Sequence, residues 1–149
     1  MADTKVMVQK LREETGAGVM DCKKALVDAK GDFEEAKKII GERGLAKVEK
    51  RAGRETGAGL VKTYVHNGRI GVLLEVRAET DFVVRSEPFQ ELAQDLVMQI
   101  AAMNPETVPD LLKQPFVKDE SKSVEALVGA VIAKVGENIQ VTKFARYEV

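Results

Sequence analysis

The sequence predicts an α+β protein in which a helical N-terminal region precedes a small antiparallel sheet covered by helices. Apolar residues recur at helical spacing over the first 45 or so residues. Asn67 and Gly68 then separate two runs of alternating residues, a pattern typical of a β-hairpin. Amphipathic segments and a last alternating run follow the hairpin. This order, with helices first and a mixed region second, favours the α+β class.

Residues 1–45 have the pattern of three short helices. Thr4 is expected to cap the first helix, and the glycines of "GAG" (16–18) are expected to end it. Asp32 precedes the third helix, for which Gly44 offers a left-handed stop. We therefore predict a compact three-helix domain over these residues.

Two further regions complete the predicted organisation. Residues 46–59 are charged, small and glycine-containing, which predicts a helical extension that runs into a linker. Residues 60–149 form the predicted core domain, with a hairpin, two helices and a C-terminal strand. Pairing His66 with Arg69 across the turn sets the strand register. In that register, the first-strand residues that face the core are Val61, Thr63 and Val65.

The rest of the core domain alternates between helical and irregular patterns. Ser86 is expected to cap a helix whose apolar residues follow helical spacing from Phe89 onward. Three prolines predict an irregular connection over residues 104–122, with one turn of helix at Asp110 to Lys113. A second amphipathic helix then ends at Gly136, and the tail alternates as a strand.

Composition excludes several classes of protein. The chain has one cysteine and one histidine, too few for an intramolecular disulfide or a typical zinc site. Its N-terminus lacks the apolar core of a signal peptide, and the apolar runs are shorter than the roughly 20 residues of a membrane span. We expect a cytoplasmic protein without a membrane partner.

The sequence predicts no catalytic residue, no metal and no cofactor. The single imidazole, His66, lies beside the hairpin turn, where an exposed turn residue is the expected role. Cys22 lies on the apolar face of the second predicted helix. A buried thiol is the simpler interpretation, and a reactive thiol next to Lys23 and Lys24 is the alternative. The chain is therefore not expected to be an enzyme.

Basic residues between 43 and 54 raise the alternative of an RNA-binding module. Glutamates interrupt this stretch, and aromatic residues for base stacking do not interleave it. A solvated, charged helix is the better interpretation, so we expect no direct contact with nucleic acid.

The segment "ETDFVV" follows the second strand of the hairpin and allows two interpretations. Phe82 has the parity of the inward-facing strand residues, so the pattern alone favours a core position. Alternatively, Thr80 to Val83 form an exposed tip, where an aromatic beside an acid is typical of an interface hot spot.

Four long motifs closely resemble the elongation factor Ts family. They are "LREETGAGVMDCKKAL", "LEVRAETDFVVRSEPFQELA", "QPFVKDESKSVEALV" and "GENIQVTKFARYEV", in family order and over nearly the whole chain. The resemblance implies a ubiquitin-associated-like three-helix domain at the N-terminus and a helix-covered antiparallel sheet as the core.

The resemblance also implies a function, guanine-nucleotide exchange on elongation factor Tu. In the family, the motif matched by Thr80, Asp81, Phe82 and Val83 inserts into the GTPase and disturbs its Mg²⁺ site. Phe82 would be the wedge and Asp81 its polar partner, while Thr80 and Val83 would shape the loop. By similarity, Arg12 and Met20 would dock the N-terminal domain on the GTPase.

In size, the chain departs from the long members of the family, which have a second sheet subdomain and an inserted coiled coil. We hypothesise a homodimer, since two copies could reproduce the two-subdomain surface.

A binding adaptor that does not exchange nucleotide, and an RNA-binding module, are the competing functions. An exchange factor needs a preference for the open GTPase of about 5.5 kcal/mol to shift it from 1:99 to 99:1.

Overall fold

A computed structural model describes residues 3–149, which fold as two compact units divided after Lys50. The first two residues of the predicted 1–45 domain lie outside the described residues. The division falls within the segment 46–59, which the sequence assigns to the extension and linker. Helices in the first unit and a sheet with helices in the second confirm the α+β class.

The first unit consists of three helices around a small aliphatic core. Its elements are α1 (Thr4–Thr15), α2 (Val19–Asp28) and α3 (Phe33–Arg51), of which α3 continues one residue past the division. The buried residues of this core are Val8, Leu11, Cys22, Ala25, Leu26, Ala29 and Ala36. Apolar side chains at helical spacing thus face one another, as expected for amphipathic helices.

Two predicted helix ends in this unit are wrong. Asp3, not Thr4, caps α1, because its carboxylate accepts a hydrogen bond from the Lys5 N–H at 3.0 Å. Gly44 does not stop α3, which continues to Arg51. An ion pair between Lys47 of α3 and Asp21 of α2, 3.1 Å long, lies beyond Gly44. Contact with α2 therefore accompanies the continuation of the helix past its glycine.

The second unit contains a three-stranded antiparallel sheet in the order β1-β2-β5 and a separate two-stranded sheet, β3-β4. Its elements are β1 (Ala58–His66), β2 (Ile70–Ala78), α4 (Asp81–Val84), α5 (Glu87–Met103), α6 (Val108–Lys113), β3 (Pro115–Phe116), β4 (Asp119–Ser123), α7 (Val124–Val135) and β5 (Ile139–Glu148). The hairpin β3-β4 and the six-residue α6 replace most of the irregular connection predicted for residues 104–122.

One face of the three-stranded sheet is covered by helices. Helix α5 packs on β1 and β2, and α7 packs on α5. The inward side chains of β2 are buried, as the alternation predicts: they are Val72, Leu74, Val76 and Ala78. Opposite them, α5 contributes Phe89, Leu92, Leu96 and Ile100, each at most 1% exposed. The main core of this unit lies between α5 and β2.

The predicted hairpin register is wrong by one residue. Asn67 and Gly68 both have positive φ angles (53° and 67°), as a type I′ turn requires. However, His66 pairs with Ile70 and not with Arg69, which is an extra loop residue. Because successive side chains of a strand point to opposite faces, this shift exchanges the two faces of β1. The residues predicted to face the core, Val61, Thr63 and Val65, are exposed.

Candidate functional site

The segment after β2 forms a one-turn helix, α4, beyond the end of the strand. Thr80 has an extended backbone (φ −132°), and its hydroxyl accepts a hydrogen bond from the Val83 N–H at 3.4 Å. Thr80 is therefore the N-cap of α4. Where the sequence predicts an exposed tip between a strand and a helix, the structure has one helical turn.

The side chains of α4 divide between solvent and core. Asp81 is exposed, and Phe82 keeps 85% of its surface exposed. Val83 and Val84 are buried. Because α4 is helical, the alternation of β2 does not continue to Phe82, and the two valines occupy the core positions. The interpretation in which Phe82 closes the core is wrong.

The C-terminal end of α4 is closed by two side chains from the start of α5. The Ser86 hydroxyl donates to the Val83 carbonyl at 2.6 Å, and the Gln90 amide donates to the Val84 carbonyl at 2.6 Å. The Gln90 amide satisfies a carbonyl at the open end of the turn, and the Ser86 hydroxyl adds a second bond to the Val83 carbonyl, which also accepts from the Ser86 N–H at 2.9 Å. Ser86 occupies the N-cap position of α5 as predicted, but its hydroxyl serves α4 instead of the first turn of α5.

The N-terminal end of α4 is bound by a residue that the sequence did not predict, Glu137. Its carboxylate accepts two hydrogen bonds from Thr80, one from the N–H at 3.0 Å and one from the hydroxyl at 2.8 Å. Glu137 follows α7 and is 57 residues from Thr80 in the sequence. Hydrophobic periodicity does not report such a long-range polar contact. The motif "GEN", inside the resemblance already noted, was the only available signal.

The two predicted docking residues of the first unit flank the turn between α1 and α2. Arg12 is exposed in the last turn of α1, and Met20 is 63% exposed in the first turn of α2. Gly16 ends α1 with a left-handed backbone (φ 72°), which brings the chain directly into α2. Both side chains are available to a partner. The Thr80 to Val83 group belongs to the other unit.

The other chemically active groups have structural surroundings. Burial raises the pKa of the Cys22 thiol, which disfavours a reactive thiolate. His66 lies at the end of the hairpin, with its Nδ1 2.9 Å from the Tyr64 hydroxyl. Within residues 3–149, no three His, Cys, Asp or Glu side chains form a group that could hold a metal ion. Over that same range, each helix is too short or too polar to cross a membrane.

Comparison with known proteins gives matches to one protein family. The model of the family described as Elongation factor TS matches residues 4–109 and 79–149. Elongation factor Ts of Thermotoga neapolitana is 43% identical over 187 positions, which cover 96% of this chain and 95% of that protein. The protein of the same name from Finegoldia magna is 38% identical over 199 positions, covering 98% and 89%. That of Thermotoga maritima is 42% identical over 187 positions, covering 96% and 94%.

These alignments have more positions than the 149 residues of the chain, so the relatives carry residues that it lacks. They nevertheless include most of both partners in each comparison, and the family model covers both units. The chain belongs to the elongation factor Ts family, a family of translation elongation factors.

Proposed function

We propose that the chain is a guanine-nucleotide exchange factor that binds elongation factor Tu, disturbs its Mg²⁺ site and promotes GDP release in the cytoplasm. The observation that carries the proposal is the setting of Phe82. This large apolar side chain is exposed, and the turn that bears it is fixed by hydrogen bonds at both ends. An exposed aromatic on a fixed support is suited to insertion into a partner.

The residues of the proposed wedge have separate roles. Phe82 supplies the apolar contact and Asp81 the neighbouring negative charge. Thr80 caps the turn, and Val83 anchors it in the core, so neither needs to be fully exposed to shape the tip. Because the tip is ordered before binding, less conformational entropy is lost when the complex forms. The binding energy is then available for opening the nucleotide site.

Arg12 and Met20 are the proposed docking residues of the first unit. Met20 offers an exposed apolar side chain, and Arg12 offers a cation in the last turn of α1. Docking through this unit would hold the factor on elongation factor Tu while α4 acts on the metal site. The proposed exchange involves no covalent step, so it requires neither an acid-base pair nor a cofactor on this chain.

The test of the function is the release of a fluorescent GDP from elongation factor Tu, with and without the protein. An exchange factor accelerates release. Because displacement of Mg²⁺ and binding of the factor are thermodynamically linked, added Mg²⁺ should weaken the acceleration. Complex formation without acceleration would instead identify an adaptor, and absence of both would remove the proposal.

The RNA-binding alternative has less support in the structure. Two of the basic residues in its stretch, Arg43 and Lys47, form ion pairs with Asp28 and Asp21 of α2. Side chains that neutralise acids of the same unit are less available to phosphates. An RNA-binding module would show salt-sensitive binding to RNA that depends on the basic residues between 43 and 54.

We also propose that the protein forms a homodimer. The sheet face opposite α5 carries exposed apolar side chains on all three strands. They include Val65 on β1 (67% exposed), Leu73 on β2 (50%) and Tyr147 on β5 (79%). Apolar groups that share one sheet face are typical of an interface. A second copy of the chain presents the same face and would cover it.

A further inference from the structure

The antiparallel ladder between β2 and β5 ends at the pair Ala78 and Ile139. Beyond this pair, two side-chain carboxylates continue the contact between the segments. Glu79 accepts a hydrogen bond from the Asn138 N–H at 2.8 Å, and Glu137 accepts one from the Thr80 N–H at 3.0 Å. Each segment thus supplies an acid that binds the backbone of the residue next to the other acid. We call this pair of contacts the carboxylate clasp.

Glu137 also controls the hydroxyl that caps α4. The Thr80 hydroxyl donates its proton to Glu137 at 2.8 Å, and its oxygen accepts from the Val83 N–H at 3.4 Å. The carboxylate therefore fixes the direction of the O–H bond and leaves a lone pair for the cap. A single helical turn costs more conformational entropy than its few hydrogen bonds return, so α4 depends on such outside contacts.

The segment that carries Glu137 is itself held in place. Gly136 ends α7 with a left-handed backbone (φ 78°), and Asn138 is 3% exposed. The Asn138 amide donates to the carbonyls of Arg54 at 2.9 Å and Ala52 at 3.4 Å. Glu137 thus lies between a helix end and a buried, hydrogen-bonded side chain. It can act as a fixed support and not as a mobile surface acid.

We propose that Glu137 is a positioning residue for Phe82, acting through Thr80 and without touching the partner. The inference rests on the proposed exchange function, because that function gives the orientation of Phe82 its consequence. The clasp fixes Thr80, the N-cap of α4, and Phe82 lies two residues further on. Loss of the clasp would let the turn fray while its valines remain in the core.

The kinetic test compares Glu137→Gln with the native protein in the GDP-release assay, over a range of factor concentrations. Glutamine removes the negative charge and replaces one acceptor oxygen with a donor, so neutral and weaker contacts replace the two charge-assisted bonds to Thr80. We expect the maximal release rate to fall roughly five- to tenfold, which corresponds to the net contribution of one ordinary hydrogen bond. The half-saturating concentration should change less, because the first unit still docks.

Control variants separate positioning from a general loss of stability. Asp119→Asn is the matched control, since Asp119 also accepts both an N–H and a hydroxyl hydrogen bond from one residue, Ser121, but in β4. This variant should accelerate GDP release as much as the native protein does. Thr80→Ser keeps the hydroxyl and should lower the maximal release rate much less than Thr80→Val, which removes it. In the double variant Thr80→Val and Glu137→Gln, the maximal release rate should fall by less than the product of the two single fold-changes. The reason is that both substitutions act on the same contact.

A second measurement does not depend on nucleotide exchange. Amide hydrogen exchange of Thr80 and Val83 should become faster in Glu137→Gln and stay unchanged in Asp119→Asn. Native amide protection, or a native maximal rate in Glu137→Gln while the native protein accelerates GDP release, would overturn the proposal. If the native protein itself gives no acceleration, the exchange function fails, and the amide measurement still decides whether Glu137 orders α4.

Discussion

Two phenylalanines seven residues apart show how the local backbone decides the role of a side chain. Phe82 is 85% exposed on α4, and Phe89 is fully buried in α5. We expect Phe82→Ala to lower the GDP-release rate while the free energy of unfolding changes by about 0.5 kcal/mol or less, as for surface substitutions. Release kinetics and chemical denaturation measure the two effects.

Phe89→Ala is the matched control for that substitution. It removes the same atoms from the core and should cost about 3–5 kcal/mol of stability. If Phe82→Ala is destabilised to a similar extent, or exchanges like the native protein, Phe82 is not the proposed wedge. Comparison of these two variants thus distinguishes loss of function from loss of folding.

The sequence predicted some residues of the candidate site and missed others for a physical reason. The pattern "ETDFVV" allowed an exposed tip, but its parity favoured Phe82 as a core residue; the family resemblance then favoured the exposed role. Glu137 was not predicted, because its contact with Thr80 joins segments 57 residues apart. Periodicity reports which face of an element is apolar, whereas such polar contacts depend on the tertiary structure.

At the scale of elements, a buried glutamine connects α5 to the β3-β4 hairpin. Gln99 is 1% exposed; its amide donates to the Pro115 carbonyl at 3.0 Å, and its oxygen accepts from the Val117 N–H at 2.8 Å. Gln99→Leu would leave these backbone groups without their partner. We expect a loss of about 1–3 kcal/mol in the free energy of unfolding, measured by chemical denaturation.

Gln94→Leu is the control for this prediction, since Gln94 lies in the same helix and is only half-buried. It changes the same atoms at a more exposed site and should alter stability much less. Faster amide exchange at Val117 should accompany the loss in Gln99→Leu. Equal stability of the two variants would show that the buried hydrogen bonds contribute little.

The strands show how far patterning predicts an element. The apolar alternation of β2 gave its buried face correctly, because α5 covers that strand directly. The first strand, β1, was assigned the wrong face, since Arg69 adds a residue to the loop and shifts the register. The strand β4, Asp119–Ser123, was missed because its sequence, DESKS, has no apolar alternation.

At the scale of the whole molecule, the bare sheet face has a layout suited to self-association. Its paired positions form rows across the three strands, one of which runs from Val65 through Gly71 to Tyr147. At the other end of the face, the hydroxyl of Thr142 lowers the pKa of the Glu75 carboxyl, with Arg77 adding to the effect. Glu75 therefore stays charged and, together with Arg77 and the paired Lys143, forms the polar end of the face.

The size of this face predicts how strong the dimer is. Three strands about 4.8 Å apart and nine residues long at about 3.3 Å per residue span roughly 14 Å by 30 Å. A flat area of about 400 Å² is smaller than the roughly 800 Å² per partner of a standard stable interface. We therefore expect a reversible dimer whose average mass rises with protein concentration in light scattering.

Val65→Glu tests whether the sheet face is the interface. The substitution places a charge within the proposed apolar contact, which a second copy would bury. Because like charges repel and desolvation of a carboxylate is costly, the variant should remain monomeric at concentrations where the native protein associates. Val27→Glu is the matched control, since Val27 is a similarly exposed valine (76%) on α2 of the other unit. A native protein that is monomeric both free and with elongation factor Tu would contradict the homodimer, and a Val65→Glu variant that still associates would contradict this interface.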